Sequence, residues 1–210
     1  MGYSLFAMEH LFPLPLWQFR VAEPGLDALL MEEVAVRRAA EPGLPNTNRV
    51  GWQSPRDLFD RTEPGHVRLL HVIRNVIRDT LRSLQPKLDQ ASISVALNGW
   101  INVNPPGGYH GPHQHSDALL SGVYYISVPE GGSVSSGVIE FLAPHPVRQV
   151  GALMQAPMFA ERFRIKPVAG DLLLFPGQLP HWVHPNDSDD DRVTISFNAR
   201  VSPVPRTTKG

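Results

Sequence analysis

The chain has 210 residues, enough for one domain with a hydrophobic core, or a core with a helical extension. Its formal net charge is −1 and its isoelectric point about 6.8, so no basic or acidic excess is available to drive binding to nucleic acid or to an anionic membrane. Cysteine is absent, which excludes disulfides, thiolate metal sites and cysteine nucleophiles and fits a reducing, cytoplasmic setting.

No apolar run approaches the roughly 18 residues of a membrane span. The segment Met1–Ala7 lacks a basic region ahead of an apolar stretch, and Glu9-His10 follows soon after, so a cleaved signal peptide is not expected. Residues 11–21 read as an extended segment, because Pro13 and Pro15 forbid a helix and suit an edge strand. Pro24-Gly25 opens an amphipathic helix over 25–40. Leu26, Leu29, Leu30, Val34 and Val36 are its apolar positions, and Glu32, Glu33, Arg37 and Arg38 its wet side. Residues 41–61 read as a loop punctuated by Pro42-Gly43, Pro45-Asn46 and Ser54-Pro55. A second helix begins after Pro64-Gly65, carries Val67, Leu70, Val72, Ile73, Ile77, Leu81 and Leu84 at helical spacing, and ends before Pro86.

Beyond residue 90 the period changes from helical to two. Segments 92–98, 100–104, 119–128, 138–141, 163–167, 171–176 and 193–201 read as strands separated by turn signals, about seven or eight in all. Such a run fits a sandwich or jelly roll. The expected organisation is one domain over 1–210, with an N-terminal strand and helices over 1–90 and a jelly-roll core over 91–201.

The chemistry sits at two separated places. The turn Pro112-His113-Gln114-His115-Ser116-Asp117 is answered by Leu179-Pro180-His181-Trp182-Val183-His184-Pro185, with 66 residues between His115 and His181. Residues at i and i+2 lie on one side of a strand, or are gathered by the turn that ends it. His115-x-Asp117 with His181 would complete a two-histidine, one-carboxylate face on an iron ion, leaving the other positions open. His113-x-His115 with His181 would instead give three histidines, with Asp117 orienting one of them. The first set is preferred on charge, because a carboxylate neutralises Fe(II) better. Arg192 follows His181 by 11 residues, and its guanidinium can hold a carboxylate through two parallel hydrogen bonds. Thr194 and Ser196 share its face. Among Tyr124, Tyr125, Asn102 and Asn104, Tyr124 and Asn102 are the candidates to join Arg192 and Thr194 on that ligand. His110, His145 and His184 read as surface or supporting residues, and Trp52, Trp100, Trp182 and Phe175 as packing that could shape a pocket.

These segments carry a resemblance. Leu11-Phe12-Pro13, Gly51-Trp52-Gln53-Ser54, Trp100-Ile101-Asn102-Val103-Asn104, His113-Gln114-His115, Ser121-Gly122-Val123-Tyr124-Tyr125, residues 170–176, His181-Trp182-Val183 and residues 192–198 recur in order across nearly the whole chain. The chain resembles the Fe(II)- and 2-oxoglutarate-dependent dioxygenases, and more narrowly a group of oxygenases of marine bacteria and phages. The resemblance implies a mainly β, double-stranded β-helix fold, cupin-like, with the N-terminal helices packed outside. It also implies metal at the histidines, 2-oxoglutarate gripped by Arg192, and hydroxylation of a substrate with release of succinate and CO2. Relatives of this group keep the His-x-His but not reliably an acid at the place of Asp117, so both ligand sets stay open. The substrate is expected to be a small molecule or peptide-like, and a homodimer is compatible with the reading. The rival functions are a cupin-like metalloenzyme that does not use 2-oxoglutarate and a non-catalytic β-sandwich binding module.

Overall fold

The computed structural model describes residues 14–144 and 160–204; Leu11-Phe12-Pro13 and His145 lie outside these. In chain order the elements are β1 (Trp17–Arg20), α1 (Leu26–Ala40), β2 (Asn48–Arg49), β3 (Trp52–Gln53), α2 (Pro64–Leu84), β4 (Ile93–Asn104), β5 (Tyr109–His113), β6 (Leu120–Ser127), β7 (Ile139–Leu142), β8 (Arg162–Ile165), β9 (Asp171–Pro176), β10 (His181–Val183) and β11 (Arg192–Pro203). They form two facing antiparallel sheets, a six-stranded one in the order β1-β9-β6-β11-β4-β3 and a five-stranded one in the order β2-β5-β10-β7-β8. This is the double-stranded β-helix, mainly β, with both helices packed outside the larger sheet.

Strand parity explains the layering. On β4 and β11, Ile101, Val103, Val193, Ile195, Phe197 and Ala199 join Leu26, Leu30 and Val34 of α1 and Leu69, Ile73, Ile77 and Leu81 of α2 in one buried cluster. The alternate residues Asn102, Arg192, Thr194 and Ser196 therefore point the other way, into the space between the sheets. A second, smaller cluster of Val123, Tyr125, Ile139, Phe141, Leu173, Phe175, Leu179 and Val183 closes one end of that space. The apolar rows of the larger sheet thus face the helices. Its polar rows on β4 and β11 face the interior, which is the inverse of a solvent-facing sheet.

The helices are fixed at their ends. Pro64 stands in the first turn of α2, where its missing N–H costs nothing. Glu33 of α1 accepts from the backbone N–H groups of Gly65 at 2.6 Å and His66 at 3.1 Å, capping one helix with the other. The helical stripe on α1 is shifted from expectation: Val36 is exposed and Arg37 is buried. Arg37 lies three residues after the core residue Val34, on the same face. It donates to Glu41 at 2.9 Å and Asp57 at 2.5 Å, which makes its burial tolerable.

Three differences from the sequence reading bear on the site. The loop read over 41–61 contains the short strands β2 and β3, and with β1 they bring three N-terminal strands into the two sheets. The two strands read over 92–98 and 100–104 are the single strand β4, continuous through Gly99. Both histidine segments enter strands: His113 ends β5, and His181 opens β10. No described helix is long and apolar enough to cross a membrane.

Candidate metal centre

His113 and His181 are direct partners in the antiparallel pairing of β5 with β10, and that register is interrupted by a bulge immediately after. Bulges re-aim side chains and cluster beside functional sites. His115 lies two residues past the end of β5, in a turn tied to the neighbouring one. Its N–H donates to the Gly177 carbonyl at 2.7 Å, and the Gly177 N–H donates to Leu119 O at 3.2 Å. Gly177 has no room for a side chain, because a Cβ there would sit 2.5 Å from His115 O and 2.3 Å from Ala118 O. The sharp Pro176-Gly177 turn therefore places His115.

One ligating atom from each of His113, His115 and His181 lies within 4.8 Å of the others. The ring centroids are 4.4 Å apart for His113–His181, 5.1 Å for His113–His115 and 5.4 Å for His115–His181. Two of the rings are oriented from behind. Nδ1 of His113 meets Gly111 O at 2.8 Å and Nδ1 of His181 meets Leu179 O at 2.9 Å. A carbonyl can only accept, so each Nδ1 carries the proton and each Nε2 keeps a free lone pair, the tautomer a metal needs. Burial, reinforced by the neighbouring imidazoles, holds His115 down to about 4 and His181 down to about 3, and burial lowers His113 as well. All three are neutral at pH 7. Three converging neutral imidazoles suit Fe, Zn, Cu or Ni.

Asp117 does not join them. It is exposed in the turn beyond His115, and its carboxylate is paired with Arg200 on β11. The structure thus brings together the three-histidine set and leaves the preferred carboxylate outside it. Only two residues separate Asp117 from β6, and that reach is taken up turning the chain into the strand.

The histidines open onto a pocket of about 140 Å³, smaller than the roughly 300–1,000 Å³ that encloses a drug-sized ligand. At its inner side Arg192 is 2% exposed. Its Nη1 reaches Asn104 Oδ1 at 3.5 Å, its guanidinium lies 5.1 Å from the Tyr125 ring centroid, and its Nε has no partner. Among the described residues no carboxylate lies within 4.0 Å of it, although Asp187, Asp189, Asp190 and Asp191 precede it in sequence. Around it, Asn102 Oδ1, Asn104 Nδ2 and Tyr125 OH are also buried without partners. An unpaired buried cation among unsatisfied polar atoms is costly unless an anion occupies the space.

Asn102 and Thr194 line this pocket as expected, and so do Ser196, Trp100 and Phe175. Tyr124 does not. Its hydroxyl donates to Asp27 of α1 at 2.5 Å, on the helix side of β6. Tyr125, one residue on and so on the opposite face, is the pocket tyrosine. Strand β6 is apolar on both faces, so its sequence could not tell which tyrosine points inward. Of the surface and supporting roles open to His110, the structure shows the supporting one: it is buried, with Nε2 at 3.1 Å from Asn104 Oδ1, where it steadies the partner of Arg192. Trp52 packs against the helix-side cluster, and Trp182 stacks on His184 at 3.9 Å between centroids.

Residues 98–198 match the sequence profile of the family described as "Putative 2OG-Fe(II) oxygenase". That match, just under half of the chain, takes in His113, His115, His181 and Arg192 and marks a similarity to the 2OG-Fe(II) oxygenases. Solved oxygenase structures share its fold. A prolyl-4-hydroxylase of Pseudomonas putida superposes with a TM-score of 0.61 at 19% identity, covering 88% of this chain and 91% of its own. The α-ketoglutarate-dependent epimerase SnoN of nogalamycin biosynthesis gives 0.62 at 15%, covering 92% and 82%. HygX of Streptomyces hygroscopicus, with nickel and 2-oxoglutarate bound, gives 0.60 at 14%, covering 88% and 82%. No curated protein matches the chain by sequence.

Proposed function

We propose that this protein hydroxylates a C–H bond of a small-molecule or peptide-like substrate, converting 2-oxoglutarate and O2 to succinate and CO2. One oxygen atom enters the substrate and the other enters succinate. His113, His115 and His181 hold the iron, which when bound supplies the activation of dioxygen. Arg192 takes the distal carboxylate of 2-oxoglutarate. Tyr125, Asn102, Asn104 and Thr194 offer the remaining polar contacts, and Phe141 and Phe175 keep water from His181, their rings 5.8 and 4.9 Å from its own. The protein's task is to hold, orient and exclude water.

The observation that carries the reading is Arg192, a buried cation without a counter-ion among the described residues, in the same pocket as the three histidines. The bound states of structural neighbours support it: HygX has been seen with nickel and 2-oxoglutarate, and SnoN with Fe3+ and α-ketoglutarate. The breadth of substrate class follows the same neighbours, since one is a prolyl hydroxylase bound to a peptide fragment. The test is succinate formation by purified protein with Fe(II), ascorbate and 2-oxoglutarate. Metal-dependent succinate is expected even without a prime substrate, through slow uncoupled turnover. Metal bound with no 2-oxoglutarate consumed would leave the cupin-like reading. No divalent metal bound at all would leave a binding module.

A further inference from the structure

The pocket contains a second cation that the proposed function does not use. Arg56 lies between β3 and α2, exposed, with its guanidinium 4.8 Å from the centroid of Trp100. Trp100 in turn stands 5.9 Å from the His115 ring, so Arg56 is stacked at the mouth of the pocket, on the side of the candidate metal. The guanidinium sits over the indole, a contact that does not use up its N–H donors.

Among the described residues the fork has no hydrogen-bond or ion-pair partner. Among the described residues no carboxylate lies within 4.0 Å of it, whereas Arg20, Arg38, Arg61, Arg68, Arg164 and Arg200 are all ion-paired. The adjacent Asp57 is engaged elsewhere, by Arg37 at 2.5 Å and Arg61 at 4.0 Å. Among the described residues no Asp or Glu lines the pocket. Charge in the loaded site is therefore unbalanced. Three neutral imidazoles leave a divalent ion with both its charges, and Arg192 adds a third. The dianion 2-oxoglutarate cancels two of these, and Arg56 raises the remainder to two. From this, and resting on the function proposed above, we infer that the prime substrate is an anion whose carboxylate or phosphate is held by Arg56 at the pocket mouth, with the exposed Gln114, which lines the same pocket, as a further donor. Arg56 selects the substrate, and Arg192 selects the co-substrate.

The probes are matched acid and amide pairs, benzoate with benzamide and N-acetylglycine with N-acetylglycinamide, together with phenyl phosphate. They are titrated calorimetrically into protein loaded with Ni(II) alone and with Ni(II) and saturating 2-oxoglutarate. Nickel affinity and melting temperature, measured on the same preparations, establish that Arg56→Gln is folded. In the wild type the acid of at least one pair binds about tenfold or more tightly than its amide, and Arg56→Gln reduces that preference to about threefold or less. Phenyl phosphate binding tighter than benzoate identifies a phosphate substrate, and the reverse a carboxylate; both support the inference. Equal binding of acids and amides in the wild type, or a preference that survives Arg56→Gln, overturns it. The two readings fail separately. An Arg56-dependent acid preference in protein that never binds 2-oxoglutarate keeps this inference and removes the proposed function. Binding of 2-oxoglutarate with no acid preference does the opposite.

Discussion

Replacing Arg192 by Met separates a functional cation from a structural one. In the free protein the guanidinium makes one long hydrogen bond, 3.5 Å to Asn104, and stacks on Tyr125 while fully desolvated. Exchanging such a buried charge for an apolar side chain of similar volume is neutral or stabilising by about 1–4 kcal/mol. For a chain of this size each kcal/mol moves the melting temperature by about 2–4 °C. The metal-loaded variant without 2-oxoglutarate should thus melt no lower than the wild type. Binding behaves in the opposite way. Two charge-assisted hydrogen bonds to a carboxylate are worth about 1.5–3 kcal/mol each, so their removal should weaken 2-oxoglutarate by about 3 kcal/mol or more, roughly 100-fold. At a ligand concentration about 1,000 times the wild-type Kd, the wild type gains about 4 kcal/mol and the variant only about 1.4. The ligand-induced rise in melting temperature should accordingly be smaller in the variant by about 5–10 °C. The assay is differential scanning fluorimetry of Ni(II)-loaded protein with and without 2-oxoglutarate, with calorimetry for Kd. A variant that binds 2-oxoglutarate within threefold of wild type, or one that is several degrees less stable without ligand, would refute the reasoning.

Four further outcomes are expected. His181→Ala and His115→Ala should each lose Fe(II) or Ni(II) binding by about 100-fold or more, while Asp117→Asn stays within about threefold, measured by competition with a chelator; a loss in Asp117→Asn as large as in His115→Ala would restore the carboxylate to the ligand set. Tyr125→Phe should weaken 2-oxoglutarate about tenfold by removing about 1–1.5 kcal/mol of hydrogen bonding, whereas Tyr124→Phe should lower stability and leave 2-oxoglutarate binding unchanged, checked by calorimetry and urea unfolding. Gly177→Ala forces a Cβ against the backbone carbonyls of His115 and Ala118, so it should cost about 1–3 kcal/mol of stability and about tenfold in metal affinity; unchanged metal binding would disconnect that turn from the site. The metal-free protein should lose stability as pH falls below 6.5. His115 at about 4, with His110 and His181 at about 3, stays neutral in the fold while the unfolded chain takes up protons. Each such histidine contributes a slope of up to about 1.4 kcal/mol per pH unit between 6.5 and its folded value, and urea titrations at pH 7.5 and 5.5 read the difference.

The layer order and the histidines that cluster were largely legible because each depends on a short-range rule. Period-two runs after residue 90, a helical stripe over 64–84 and the His-x-His with a distant His each leave a local mark. What sequence could not supply was parity and partnership. Asp117 and His113 flank His115 symmetrically, and only the pairing of His113 opposite His181 across β5 and β10 selects between them. Tyr124 and Tyr125 are neighbours in a strand buried on both faces, so the facing direction is decided by which sheet lies beyond. The strands β2, β3 and β10 are two or three residues long, too short for a period to register, and owe their conformation to the sheet edges they join. Arg37 was read as wet for its charge alone. The two acids that bury it come from the C-cap of its own helix and from a residue 20 positions on.

The histidine in place of a carboxylate links the two cations of the pocket. A carboxylate ligand would remove one unit of charge from a bound ion; a neutral third imidazole would not. An ion held there would keep its full charge in a cavity whose apolar walls include Ile139, Phe175 and Val183, where field lines are poorly screened. Such a site favours anionic occupants over neutral ones and favours two anions over one. Arg192 lies deep and wholly buried, Arg56 shallow and exposed, so the two are graded by burial. The deep cation is costly until filled, so on the proposed assignment 2-oxoglutarate is the tighter and earlier ligand. The shallow one is solvated and costs little when empty, so it can wait for a weaker, exchanging substrate. If Arg192 holds 2-oxoglutarate and Arg56 the substrate, ordered binding, co-substrate before substrate, is the kinetic consequence of that gradient.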